Sequence, residues 1–181
     1  LLLAAAWRRR RPVTPLALQK LIYFSHGHFL ARTKTPLVKG AFEAWQYGPV
    51  HPQLYHAFKS WGRDPILERA ERIDPVTGEV SLPVEPQDSA VIDAIERIVI
   101  EFGNFTPGQL VKLSHARGGP WHRVVVAYDE VPGSGVRITD DIIDKYFAYH
   151  KLSSVTLQMS DEVDEDSPLE RHGLRQAHRP Y

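Results

Sequence analysis

Apolar residues recur at helical spacing in separate blocks along most of the chain, and several blocks open on a proline. Val13-Thr14-Pro15 predicts a helix start, with Thr14 as the cap and Pro15 at the first helical position, where a missing N–H costs nothing. The helix that follows is expected to run to about Arg32. Leu18, Leu21, Ile22, Ser25 and Phe29 recur at i, i+3, i+4, and Leu16, Ala17 and Phe24 widen the stripe until little polar face remains. Such a helix is packed on most sides.

Pro36 and Gly40 break the pattern, and Phe42 to Tyr47 has strand character, with Glu43, Trp45 and Tyr47 on one face and Phe42, Ala44 and Gln46 on the other. Gly48-Pro49 is read as the turn. His51-Pro52 opens a further helix through Trp61, with Gly62 as its stop. Between Arg63 and Gln87 prolines and the Asp74–Gly78 turn punctuate short apolar pieces, a loop or small hairpin with Val80-Ser81-Leu82 as one arm. Asp88 or Ser89 caps a helix lined by Val91, Ile95, Ile98 and Phe102. Thr106-Pro107 repeats the cap-plus-proline start, and Pro120 begins another helix through Trp121 and Val125. After the turn VPGSG, a last helix from about Thr139 presents Ile142, Ile143, Tyr146 and Phe147.

The expected fold class is mainly α, a compact bundle of about six helices with one small β element. LLLAAAW with Arg8 to Arg11 reads as the end of a first helix whose beginning lies outside this sequence, its arginines at the negative end of the dipole. The expected domains are 1–12, helix remnant and basic linker; 13–152, the helical domain; and 153–181, a polar tail without apolar period, read as disordered.

The chain has 181 residues, with 22 Lys and Arg against 22 Asp and Glu, so its overall field draws it neither to nucleic acid nor to an anionic membrane. The absence of cysteine removes disulfides, thiolate metal sites and a thiol nucleophile. Nine histidines raise the question of a metal. His26 and His28 stand two apart on a helix and cannot chelate one ion; a composite site of His115, His122 and Glu43 is the remaining arrangement. Ser25-His26 and Ser114-His115 are neighbours on helices and face apart, and no phosphate loop or dinucleotide fingerprint is present. No catalytic residue, metal or cofactor is assigned.

What remains is EAWQYGPVHPQLY, residues 43–55. Its rings combine flat apolar area with polar tips, a composition found in packed corners and at contact surfaces, and Trp45 with Gly48-Pro49 is expected to hold the bend against the central helix. The candidate partner-binding residues are Glu43, Trp45, Tyr47, Pro49, His51, Gln53 and Tyr55, with Tyr47, His51 and Gln53 expected near the surface. If that corner only packs, the Ile143, Tyr146, Phe147 face comes next.

VTPLALQKLIYFSHGHFLA, FEAWQYGPVHPQLYHAFKSWG and FGNFTPGQLVKLSHARGGPW, in this order, resemble the SocA-like antitoxin domain, or Panacea domain, family, which includes phage-associated GepA-like proteins. The resemblance runs from about Thr14 to Phe147. It implies the antitoxin half of a bacterial or phage two-gene system, cytoplasmic and non-enzymatic, that binds a protein toxin and in some members delivers it to the ClpXP protease. Two rival readings stand beside it. A His-based metal-dependent hydrolase requires His115, His122, His51 and Glu43 to converge, and a DNA-binding autoregulator rests on Arg8 to Arg11.

Overall fold

A computed structural model describes residues 1–73, 76–128 and 135–149; the 153–181 tail and most of the VPGSG turn lie outside the described residues. Among them are seven α-helices and five short strands, a mainly α architecture with a small β element. The centre is α2, Pro15–Thr33, with α1, Leu2–Arg8, before it. The Thr14 hydroxyl accepts from Ala17 N at 3.3 Å and Pro15 occupies the first position, as their sequence predicts. Buried residues lie on nearly every side of α2, including the polar Gln19, Lys20, Ser25 and His26. The helix ends at Lys34, whose left-handed backbone (φ 60°) lets its N–H reach Leu30 O.

The elements around α2 are β1 (Phe42–Trp45), β2 (Gly48–Val50), α3 (Pro52–Phe58), β3 (Arg72–Ile73), β4 (Val80–Ser81), α4 (Ser89–Phe102), α5 (Pro107–Ser114), α6 (Pro120–Ala127), β5 (Arg137–Ile138) and α7 (Asp140–Tyr149). Helices α3, α4, α5 and α7 and strand β2 all pack on α2, whereas α1 packs on α4. Arg8 and Arg9 both pair with Glu96 of α4, the latter at 2.6 Å. Two of the four arginines behind the DNA-binding reading are thus engaged within the fold.

Two sequence expectations are corrected. The chain reverses at Gln46-Tyr47, not at Gly48-Pro49: Trp45 pairs with Gly48, and Gly48-Pro49-Val50 is the returning strand. A proline is admissible there because β2 is the edge of the sheet, whose order is β2-β1-β5. The α7 face, in turn, is not open. Ile143 and Phe147 are buried and the Phe147 ring packs on Tyr23, while Ile142 and Tyr146 are half-buried. Only a glycine at position 27 allows this approach, since a Cβ there would lie 2.5 Å from the Phe147 ring. Strand β5 was not anticipated, because two residues are too short to show alternation.

Candidate functional site

The β1–β2 hairpin is tied to α2 by side chains projecting from one helical turn. Gln19 clasps the backbone of His51, its Oε1 accepting from His51 N at 2.8 Å and its Nε2 donating to His51 O at 3.4 Å. Lys20, with no solvent exposure, donates from Nζ to Pro49 O at 2.8 Å. Burial without a carboxylate partner lowers the Lys20 pKa to about 7. Gly48 sits over this point with φ +93°; a Cβ on it would run into Ser114 Oγ and lie 3.2 Å from Lys20 Nζ and 3.3 Å from His115 Nε2. A glycine is needed here on two counts, backbone conformation and space.

From the other side, α5 and α6 hold the hairpin. The His115 ring stacks on Trp121 at 3.7 Å and 8°, and Trp121 Nε1 donates to Trp45 O at 2.8 Å. His115 is held neutral down to about pH 4, first by burial and then by the neighbouring Lys20 charge. The Thr106–Gln109 capping box fixes the start of α5, and Pro120 that of α6. A short, rigid hairpin results, seated on three helices.

Its outward face carries the rings of the opening motif. Trp45 Nε1 donates to Glu43 Oε2 at 2.8 Å, and the same oxygen accepts from Gly135 N at 2.8 Å, so Glu43 orients the indole and secures the chain entering β5. Trp45 and Tyr55 meet edge to face with centroids 4.9 Å apart. Glu43, Trp45, Tyr47 and Tyr55 are half-buried and Gln53 is exposed, so these five share access to solvent. Pro49 and His51 do not: both are buried. The His51 ring donates from Nε2 to Lys39 O at 2.8 Å and packs on Phe42, because a helix-opening His-Pro step beneath an edge strand turns inward. His51 is therefore a structural residue rather than the surface residue its sequence position suggests.

The histidines required by the hydrolase reading are not brought together. His51 turns to Lys39, His122 Nδ1 accepts from Gly118 N at 3.3 Å, and His115 lies on Trp121. Among the described residues no group of three or more His, Asp or Glu is placed to hold a metal ion. Ser114, Lys20 and His115 do meet, a trio with the look of an activated nucleophile. Yet the Ser114 hydroxyl donates to Val111 O at 2.8 Å, both Ser114 and Lys20 are buried, and Gly48 fills the space above them. The trio anchors the hairpin. Sequence reasoning passed over Gln19 and Lys20 in this role; the available signal was a polar pair inside an otherwise apolar helix.

The description "Antitoxin SocA-like, Panacea domain" belongs to the family model that matches residues 18–122, and the chain belongs to that family. Antitoxin SocA of Caulobacter vibrioides (strain NA1000 / CB15N) is 40% identical over 158 residues, covering 87% of this chain and 84% of that protein. No solved structure matches. The matched span begins on α2 just before Lys20 and closes at His122, and so encloses the hairpin and its anchors. Among the described residues no helix is long and apolar enough to cross a membrane.

Proposed function

We propose that this chain is the antitoxin of a two-gene toxin–antitoxin system and that it neutralises a protein toxin in the cytoplasm by binding it, without catalysis. Family membership, with 40% identity to an antitoxin over most of both chains, carries this reading. The geometry supports a contact role for the hairpin corner. Trp45, Tyr47 and Tyr55 stand on a backbone fixed by Lys20, Gln19 and Trp121, so little conformational entropy is lost when a partner covers them. Gln53 extends the surface along α3, and Glu43 positions the indole. Delivery of the bound toxin to a ClpXP-type protease is a second step that the family resemblance suggests, and toxin half-life in cells with and without this chain measures it.

The test is co-expression of the chain with the product of the adjacent reading frame, reading growth, complex recovery and melting together. Tyr47→Glu and Gln53→Glu are expected to weaken protection while the melting midpoint stays within a few degrees of the parent, because both side chains reach solvent. Folded variants that protect as well as the parent would remove the corner from the contact surface.

A further inference from the structure

Charge along this neutral chain is distributed unevenly. Residues 1–63 contain ten Lys and Arg but one acid, Glu43, and residues 102–128 contain three Lys and Arg and no acid. These two stretches supply α2, the β1–β2 hairpin, α3, α5 and α6; the third strand, β5, adds Arg137 and leads into Asp140 and Asp141 of α7, which respectively face His26 and pair with Lys145. The single carboxylate of the two stretches is already committed, accepting from the Trp45 indole and from Gly135 N.

Four exposed cations stand on or beside the elements that form and hold the corner. Arg137 is the cross-strand neighbour of Glu43 on β5, one diagonal step from Trp45. Arg117 belongs to the loop that follows His115, which lies under Gly48, whereas Arg123, two positions beyond Trp121 on α6, donates to Gly118 O at 2.7 Å and lies near Tyr146 of α7. Lys39 stands at the far end of the hairpin, its carbonyl accepting from the buried His51 ring. Among the described residues none of the four is in an ion pair, whereas Arg8, Arg9, Lys34, Arg69 and Lys145 all are.

From this arrangement we infer that the hairpin corner docks an acidic protein surface, in which the toxin presents carboxylates to Arg117 and Arg137 beside an apolar contact with Trp45, Tyr47 and Tyr55. The inference rests on the antitoxin reading and adds the chemistry of the partner's face. Aromatic anchors with cations at their edge are the layout of a protein interface, with desolvated contacts in the middle and charges that steer approach and reject wrong partners. Duplex DNA would call for a continuous track of cations matched to the phosphate spacing rather than two arginines beside half-buried tyrosines.

The experiment uses the full chain and the purified product of the adjacent reading frame. Arg117→Glu and Arg137→Glu are compared with the parent, with Tyr47→Glu, and with Arg97→Glu, a change at an exposed position on α4 outside this corner. Association rate and affinity are measured at low and high salt, alongside a 20-base-pair duplex as second probe. Each rim reversal is expected to slow association by roughly tenfold, to weaken binding similarly and to flatten its salt dependence, with Arg97→Glu unchanged. Rim variants that bind like the parent, while Tyr47→Glu loses binding, would overturn the acidic-surface inference and leave the antitoxin reading standing. Absence of binding by the parent, or binding that neither class of variant alters, would overturn both the corner and the inference. Salt-sensitive binding of the duplex, lost in the rim variants while the protein partner still binds, would overturn the inference in favour of nucleic acid.

Discussion

At Gly48 the hairpin meets side chains of the central helix and of the end of α5. The glycine's φ of +93° lies where a side chain is strained, and its missing Cβ leaves room for Ser114 Oγ and Lys20 Nζ. Gly48→Ala is therefore expected to lose stability on two counts, by roughly 2–4 kcal/mol in urea denaturation. A loss under half a kcal/mol would mean that Ser114 and the backbone accommodate the methyl freely. Position 48 reads from sequence alone as one half of a Gly-Pro turn, and only the pairing of Trp45 with Gly48 reveals a strand. Local residue preferences describe both arrangements equally well. What separates them is tertiary: Lys20 draws the Pro49 carbonyl inward, and no pattern within residues 43–55 records a lysine on α2.

Helices were the legible elements, because each start carries its own chemistry. Thr14-Pro15, Asp88 and Thr106-Pro107 all cap the helices their positions predict. Which face of a helix is covered was less legible for α7, since an apolar face looks the same whether it packs on α2 or awaits a partner. The deciding feature lies on the other helix: Gly27, whose missing side chain admits Phe147. Gly27→Ala has opposing effects, a helix-propensity gain of under about 1 kcal/mol and a clash with a buried ring. The clash should dominate, because Phe147 is also fixed by Tyr23 and His28 and has little room to move. The expected outcome is a net loss of about 1–3 kcal/mol with exchange protection of α7 amides falling more than that of α4. Equal losses in both helices would show that α7 does not open separately.

At the scale of the whole molecule, buried bases give stability a defined dependence on pH. His28 and His115 titrate in the fold at about 4 and Lys20 at about 7, all below their ordinary values of 6.5 and 10.5, first because burial disfavours the charged form. In each case the unfolded chain binds the proton more readily, so stability is complete above the unfolded value and is lost as pH falls towards the folded one. The histidines place one loss between about pH 6.5 and 4, and Lys20 places another between about 10.5 and 7. Buried Tyr23, its phenol raised well above 10, works oppositely and limits the gain on the alkaline side. The expected profile rises from pH 4 to 6.5 and again from 7 towards 10, the second limb by a few kcal/mol. Urea midpoints across that range would measure it, with Lys20→Met and His115→Asn as separate controls. Lys20→Met should flatten the upper limb, since the methionine carries no proton while Pro49 O merely loses a donor, and should reduce the lower one only in part, by removing the charge that adds to the effect of burial on His115. His115→Asn should reduce the lower limb, leaving the share due to His28 and to buried His26, whose pKa burial also lowers. An upper limb of parental slope in Lys20→Met would mean that this lysine keeps its charge beneath the hairpin, and that the Pro49 carbonyl and the polar groups around Gly48 solvate an ammonium far better than their burial implies.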